Sequence, residues 1–413
     1  MRFETAKIKD LISEISMGPF GSNIKVECFV DTGIPVLNGS NLDGFVLKEN
    51  SFRYVTEEKA DSLGRANAHR GDVVITHRGT LGQIVFIPKK SLYDRYVISQ
   101  SQFRVRCNHR VLPEYLVYYF HTRKGQHKLL SNASQVGVPA LARASTTFQE
   151  IEIEVPSVID QERIVGILEA IREKEEINNA INENLEQQAL ALFRHYFMDF
   201  EPYGGVAPSN WTEVSLDDVC ARITDGSHYS PADVPDAPYP MYSVKDMETY
   251  GFNSSSCKHI TAEEFLKMQK NDCVPRLNDI LVAKDGSYLK EIFICSEEKD
   301  EAILSSIAIF RPNTEIIMPE ILLYLLKQPP VRKDVGDNYV SGSALPRIVL
   351  KDFKKYTFLL PPMEEQIKIG SVLHAIRMQT KANIDEIQSL SALRDTLLPR
   401  LMSGELDVSS LDL

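Results

Sequence analysis

The feature that most constrains this chain is that it is written twice. Phe20-Gly21-Ser22 matches Asp225-Gly226-Ser227, and Ile34-Pro35-Val36-Leu37 matches Tyr239-Pro240-Met241-Tyr242. Gly71-Asp72-Val73-Val74-Ile75 matches Asn278-Asp279-Ile280-Leu281-Val282, and Leu112-Pro113-Glu114-Tyr115-Leu116 matches Met318-Pro319-Glu320-Ile321-Leu322. Val138-Pro139-Ala140-Leu141 meets Leu345-Pro346-Arg347-Ile348, and Pro156–Ile164 meets Pro361–Ile369. Each match is weak, but the shared positions keep their order at offsets of 205 to 207. Chance alignment of two α/β domains explains that order poorly. A repeat of this size implies two like domains rather than one large core.

Each half divides into a globular part and a long helix. Short runs rich in Val, Ile, Tyr and Phe, such as Asp72–Thr76, Gln83–Ile87 and Gln102–Arg106, are punctuated by turn residues and predict strands. Pro113–Leu130 and Pro319–Leu326 predict helices with Pro in the first turn. From Asp160 to about Phe200 helix formers dominate, with apolar residues at Ile164, Ile167, Leu168, Ile171, Ile181, Leu185 and Leu192. About 40 residues at 1.5 Å each give a helix of roughly 60 Å. The second copy, Glu364 to about Leu401, carries Leu373, Ile376, Ile387, Leu390, Leu397 and Leu401, interrupted by Thr380, Asn383 and Arg394. Those spacings alternate three and four, as in a coiled-coil seam. Asn178 and Asn383 fall at matching positions and either set register in that seam or face water.

Neither helix can bury its stripe alone. The expected fold is therefore α+β: two tandem mixed α/β domains, each followed by a long helix, with the helices packed as an antiparallel coiled coil under pseudo-twofold symmetry. The expected boundaries are a domain at 1–158, a helix at 159–201, a domain at 202–362, a helix at 363–404 and a tail at 405–413. The expected helix–helix and subunit contacts are Leu168, Ile171, Asn178, Leu185, Leu192, Leu373, Ile376, Asn383, Ile387, Leu390 and Leu397.

Composition excludes several classes. With 43% hydrophobic and 25% charged residues the chain is ordinary globular material. No run is long and apolar enough for a membrane span, and Met1–Lys7 opens without a signal-peptide core. Cys28, Cys107, Cys220, Cys257, Cys273 and Cys295 form no Cys-x-x-Cys pair and read as reduced thiols of a cytoplasmic protein. P-loop, Gly-x-Gly-x-x-Gly, Gly-x-Ser-x-Gly and His-x-x-x-His patterns are absent. Cys107-Asn108-His109 is too small a set for a metal. Pro235-Asp236 with Glu297-Glu298-Lys299 is a poor nuclease pattern, because the acidic groups are far apart and the first lies in a Pro-rich loop. Lys327-Gln328-Pro329-Pro330-Val331 lacks the acid and aromatic of an amino-methylating motif. No catalytic set remains, so the chain reads as a binding protein.

The loops supply the binding chemistry. Gly21–Lys25, Asn38–Asn41, His77–Thr80, Ser99–Gln102 and Arg143 in the first half, and Asp225–His228, Ser243–Lys245, Lys284–Ser287, Ser341–Ser343 and Arg347 in the second, offer Arg, Lys, Ser, Asn and Gln at equivalent places. Such side chains reach phosphates and base edges. The net charge of −11 is at first sight wrong for nucleic acid, but it is uneven: residues 1–160 carry +3, the helical segments 161–200 and 364–413 carry −4 and −3, and residues 201–363 carry −7.

Further motifs carry a resemblance. Leu360-Pro361-Pro362-Met363-Glu364-Glu365-Gln366 leads into the second helix, Leu192 to Pro202 ends in Asp199-Phe200-Glu201-Pro202, and the C-terminal region reads Leu397-Leu398-Pro399-Arg400-Leu401-Met402-Ser403-Gly404-Glu405-Leu406. With the tandem arrangement, these resemble the specificity subunit of type I restriction-modification systems over essentially the whole chain. The first helix departs slightly, with Pro156-Ser157-Val158-Ile159-Asp160-Gln161 in place of the double Pro and Glu.

The resemblance implies a non-catalytic subunit with two target-recognition domains that read a bipartite site on double-stranded DNA, and a helical spacer. Two modification subunits would methylate adenine with S-adenosylmethionine, and two restriction subunits would use ATP and magnesium; no cofactor is expected in this chain. On that basis Lys25, Arg78, Lys245 and Lys284 are expected at phosphates. Asn38, Ser40, Gln100, Ser227, His228 and Arg347 are expected at bases, with Arg143 in the same set. The competing reading is a two-headed coiled-coil scaffold that binds proteins and not DNA.

Overall fold

The structure is a computed structural model that describes residues 1–19, 21–134 and 138–411. Phe20, in the first repeat match, and the end of the 405–413 tail lie outside the described residues. The chain forms two compact units, residues 1–176 with 387–413, and residues 177–386. Among the described residues, no helix is long and apolar enough to cross a membrane.

In the first unit, β1 (Phe3–Lys7) pairs with β6 (Glu152–Pro156). A four-stranded sheet is built from β2 (Ile12–Met17), β3 (Asp72–Thr76), β4 (Ile84–Phe86) and β5 (Gln102–Cys107) in the order β2-β5-β3-β4. In the second unit, β7 (Thr212–Ser215) pairs with β12 (Thr357–Leu360). Its sheet has β8 (Cys220–Asp225), β9 (Ile280–Ala283), β10 (Ile292–Ile294) and β11 (Ile307–Pro312) in the equivalent order β8-β11-β9-β10. Even the irregularities repeat. A bulge leaves Ser13 without a partner opposite β5 and Ala221 without one opposite β11. Each unit also has a second sheet containing a parallel pair, five-stranded with Val36 opposite Val97 in the first unit and three-stranded with Met241 opposite Ala302 in the second.

The sequence match Gly71-Asp72 with Asn278-Asp279 now has a cause. Gly71 and Asn278 both adopt positive φ, 86° and 69°, at the turn into a strand. Asp72 and Asp279 follow, fully buried. Asp72 accepts from Arg106 Nε at 2.8 Å and from the His69 amide at 2.9 Å. Asp279 accepts from Arg311 Nε at 2.8 Å and from the Arg276 amide at 2.8 Å. A buried carboxylate is tolerable when paired and hydrogen-bonded in this way.

The predicted helix 113–130 is broken. α1 (Pro113–His121) ends at Thr122, which is extended and accepts from the Gly125 amide at 3.0 Å to start a second helix, Arg123–Leu130. A Cβ at Gly125 would strike the Tyr119 carbonyl, so the tight corner requires glycine there. In the second unit α3 (Pro319–Leu326) is followed by another helix, Pro329–Asn338, whose start uses Pro329-Pro330.

The long helices are α2 (Val158–Phe197) and α4 (Met363–Ser403). Both begin on a glutamine clamp. Gln161 Oε1 accepts from the Leu112 amide at 2.8 Å while its Nε2 donates to the carbonyls of Arg110 at 2.8 Å and Pro156 at 3.0 Å. Gln366 does the same with Met318, Ile316 and Pro361, each at 3.0 Å. The Pro…Gln motif is thus a joint between sheet domain and helix.

Leu168 and Ile171 are buried in the first unit and Leu373 in the second, whereas Leu185, Leu192, Ile376, Ile387, Leu390 and Leu397 are half-buried. Ile181 requires correction: it is 41% exposed, because Asn178 and Asn182, four residues apart, face inward instead. Within the second unit Asn178 Nδ2 donates to Glu386 at 2.7 Å and Asn383 Nδ2 donates to Asn182 at 2.7 Å. Both matching asparagines therefore face the other helix rather than water. In that unit pairing falls along α4 as it rises along α2. Within the first unit Glu175 accepts from Ser391 Oγ at 2.6 Å and from Arg394 at 3.2 Å. Near the end of α2, Ala189, Phe193 and Phe197 supply the buried face.

Burial gives the first unit a pH dependence. His121 Nε2 lies 2.9 Å from the Ile84 carbonyl and His77 Nε2 lies 3.1 Å from the Gln100 carbonyl. Desolvation lowers both pKa values, so both rings are held neutral. The unfolded chain takes up these protons near pH 6.5, so the contribution is full above that value and is lost as pH falls towards the lowered folded values. Melting between about pH 7.5 and 5.5 is expected to shift downward, and less steeply in His121→Gln. Equal slopes for the two proteins would contradict this assignment.

Candidate nucleic-acid interface

Antiparallel pairing collects three loops at one end of each sheet. In the first unit Met17 of β2 lies opposite Phe103, and Thr76 of β3 lies opposite Gln102. The segments 18–19, 77–80 and 99–101 therefore leave the same edge. In the second unit Asp225 lies opposite Ala308 and Ala283 opposite Ile307, which brings 226–229, 284–287 and 304–306 together. Glycine is needed where the backbones cross. Gly18 N–H donates to the Gln102 carbonyl at 2.8 Å and Gly226 N–H to that of Ile307 at 3.1 Å. A Cβ on Gly18 would hit the Ser99 carbonyl, and one on Gly226 that of Ile303.

A hairpin closes each cluster. Ala133–Ser134 pairs with Ala140–Leu141, and Arg78 bridges to Ala140. Val340–Ser341 pairs with Arg347–Ile348, and Asp285 bridges to Arg347. Gly79 and Gly286, at φ 91° and 70°, donate to the carbonyls of Pro139 at 2.9 Å and Pro346 at 2.8 Å. A further loop is tied in through side chains. Gln83 Nε2 donates to the Gly39 carbonyl at 3.0 Å, and the Val244 amide donates to Ser306 Oγ at 3.0 Å.

Lys25, Asn38, Ser40, Arg78, Gln100 and Arg143 are all exposed in the first unit, as are His228 and Lys245 in the second. Asn38 has a structural duty, since its Oδ1 accepts from the Ser40 amide at 2.8 Å and caps the turn, leaving its amide nitrogen for other partners. Arg143 sits at φ 48° just beyond the hairpin. His228 lies 3.3 Å from Asp225.

Two expectations are corrected. Lys284 is only 4% exposed and its ammonium is held by Asp225, so it offers no free charge. Ser227 is 8% exposed and its Oγ is engaged with Tyr229, donating to the carbonyl at 2.7 Å. The structural counterpart of Arg78 is Asp285, not Lys284, and Asp285 pairs with Arg347 Nε at 3.0 Å. Arg347 keeps half of its side chain exposed. The sequence also gave no reason to select Tyr229, 60% exposed, or Val138 and Leu345, exposed at the hairpin tips. An aromatic beside His228 was the available signal for Tyr229.

Among the described residues, no group of three or more His, Cys, Asp or Glu side chains could hold a metal. Burial pushes the Cys107 thiol up to about 12, which makes it an inert core group.

The repeat has a counterpart among known families. The type I restriction modification DNA specificity domain matches residues 3–187 and again residues 208–390. The chain belongs to this specificity family. Two of its members are similar along most of their length. The type I restriction enzyme MjaIX specificity subunit of Methanocaldococcus jannaschii is 24% identical over 425 residues, covering 99% of this chain and 94% of that protein. The HindI specificity subunit of Haemophilus influenzae is 23% identical over 402 residues, covering 82% of this chain and 87% of that protein. The fold resembles the type I restriction-modification S subunit from M. genitalium, with TM-score 0.57 and 14% identity over 97% of this chain and 96% of that one. For a member of the specificity family, the loop clusters at the two sheet ends are the natural candidates for recognition.

Proposed function

We propose that this chain is the non-catalytic address subunit of a type I restriction-modification complex in the cytoplasm. Each sheet end reads one half of a bipartite site on double-stranded DNA. The observation that carries this reading is the duplicated loop cluster, identical in backbone plan and different in side chains. Like scaffolds with unlike loops suit a split, asymmetric site, whereas identical halves suit a palindrome. The long helices form an antiparallel coiled coil under a pseudo-twofold axis and set the unread spacer. Two modification subunits, with S-adenosylmethionine, flip and methylate adenine. Two restriction subunits, with ATP and magnesium, translocate and cut.

Lys25, Arg78 and Lys245 contact phosphates; Asn38, Ser40, Gln100, His228, Arg347 and Arg143 contact bases or their immediate surroundings. The half-buried seam positions Leu185, Leu192, Ile376, Ile387, Leu390 and Leu397 hold the helices together or meet the modification subunits. The acidic balance of −7 over residues 201–363 makes binding by the chain alone weak, so basic surface on the modification subunits completes the grip.

Binding titrations with the assembled complex test the surface. Arg78→Ala and Lys245→Ala are each expected to weaken all DNA sequences alike and to reduce the salt slope by about 1. Arg347→Ala is expected to cost about 1–3 kcal/mol on the cognate site and to relax one position of it. Unchanged affinity and salt slope in all three variants would remove this surface from consideration.

A further inference from the structure

Among the aromatic side chains that reach from the recognition domains onto the long helices, two lie in turns beside the edge strand of their sheet and are 205 residues apart in the sequence. In the first unit the residue is Phe45. Its ring centroid lies 4.9 Å from that of Tyr118 and 4.4 Å from that of His121, and the Arg394 guanidinium carbon lies 5.2 Å from the Phe45 centroid. Arg394 also reaches Glu175 at 3.2 Å, so Phe45 rests where α4 is tied to α2. The backbone of Phe45 is fixed to β4. The Phe86 amide donates to the Phe45 carbonyl at 3.1 Å, and the Leu47 amide donates to that of Phe86 at 3.0 Å.

In the second unit the residue is Tyr250, in the turn between the paired strands Met247–Glu248 and Gly251–Phe252. Its hydroxyl donates to the Asn182 carbonyl of α2 at 3.3 Å. Lys327 Nζ lies 5.9 Å from its ring centroid and 2.7 Å from Glu186 of α2. Asn182 is the residue that accepts from Asn383 of α4, so Tyr250 too rests on an interhelical tie. The hairpin is locked to the sheet through Phe252, stacked on Tyr242 at 4.1 Å and edge-on to Phe293 of β10 at 5.1 Å. In both units the path runs from helix pair to aromatic ring, to the edge strand, to the sheet that presents the loops.

We infer that Phe45 and Tyr250 are positioning residues that set the tilt of each recognition sheet on its helices, and thereby the half-site spacing that the complex accepts. The inference rests on the bipartite-site reading above. A flat ring against a cation and a helix resists rocking in a way that a methyl group cannot. One base pair is only about 3.4 Å along the duplex, so a small change of tilt moves the reading surface by a whole position.

The test uses the full complex with its modification subunit and DNA in which the spacer is the parental length, one base pair shorter or one longer. Phe45→Ala and Tyr250→Ala are expected to raise methylation of the altered spacers relative to the parental one by about tenfold, with the bases read in each half unchanged. Phe45→Tyr and Tyr250→Phe, which keep the ring, are expected to retain the parental preference. Should an alanine variant fail to assemble, leucine at the same position is read in the same way. Variants that assemble, methylate and keep the parental spacer preference overturn the inference while leaving the bipartite reading intact. A wild-type complex that methylates no bipartite site removes that reading and the inference with it.

Discussion

Replacing Asp72 by alanine is expected to lower the stability of the first unit by about 3–5 kcal/mol, the cost of removing one partner from a buried ion pair. Asp72 is fully buried and is shared by Arg106 at 2.8 Å and Arg104 at 3.2 Å. Arg104 is itself buried, so the variant strands a guanidinium with only Glu14 at 2.8 Å to balance it. Asp279→Ala is expected to act in the same way on the second unit through Arg311, which also keeps Asp272 at 3.2 Å and therefore loses less. At about 2–4 °C per kcal/mol for a unit of this size, the Asp72 variant melts roughly 10 °C lower. Asp61→Ala is the control. Its pair with Arg95 is exposed and is worth about 1 kcal/mol or less. Equal effects of Asp72→Ala and Asp61→Ala would contradict the role given to the strand-start aspartates.

Gln161→Ala carries the second large effect. It leaves the Leu112 amide and the Arg110 and Pro156 carbonyls without their partner around a side chain that is itself fully buried. Each stranded group costs about 1–3 kcal/mol, and relaxation keeps the total near 3 kcal/mol. Gln161→Glu does no better, because it keeps the acceptor, loses both donors and sets a charge against two carbonyls. Gln366→Ala repeats the experiment in the second unit. The exposed Gln187 is the comparison, where alanine is expected to change stability by about 0.5 kcal/mol or less. Thermal melts of the full chain read both; a Gln161→Ala melt that overlays Gln187→Ala would refute the clamp.

These two constellations show why so much of the fold was legible. Gly71-Asp72 with Asn278-Asp279, and Gln161 with Gln366, are the same structural devices at offsets of 207 and 205, so weak identity carried real geometry. The helix-start prolines and the two long helices followed from local rules. What failed was decided by packing rather than by spacing. Thr122 and Gly125 break a continuous helical pattern because the chain must turn a corner against Tyr119. Ile181 looked like a seam residue by spacing, yet the inward face at that level is set by Asn178, Asn182 and Asn383, which find partners on the other helix.

The candidate surface was legible as loops, not as side chains. The sheet register brings 18–19, 77–80 and 99–101 together, and loop composition alone had singled out 77–80 and 99–102. It could not tell that Lys284 is buried against Asp225, because a lysine in a Lys-Asp-Gly-Ser turn looks the same whether free or paired. Nor could it align Arg78 with Asp285, a correspondence fixed by the backbone bridges to Ala140 and Arg347. Phe45 and Tyr250 were equally invisible, since an aromatic in a turn gives no sign of what it touches.

The central claim is that this chain supplies an address that partner subunits act on. It is tested most directly by expressing the chain with its modification subunit in a host free of DNA methylation and sequencing the modified bases. The expected result is N6-methyladenine confined to one asymmetric motif of two short halves separated by a fixed unread spacer. An assembled complex that leaves no such mark, or one whose methylation follows no bipartite motif, would contradict the account.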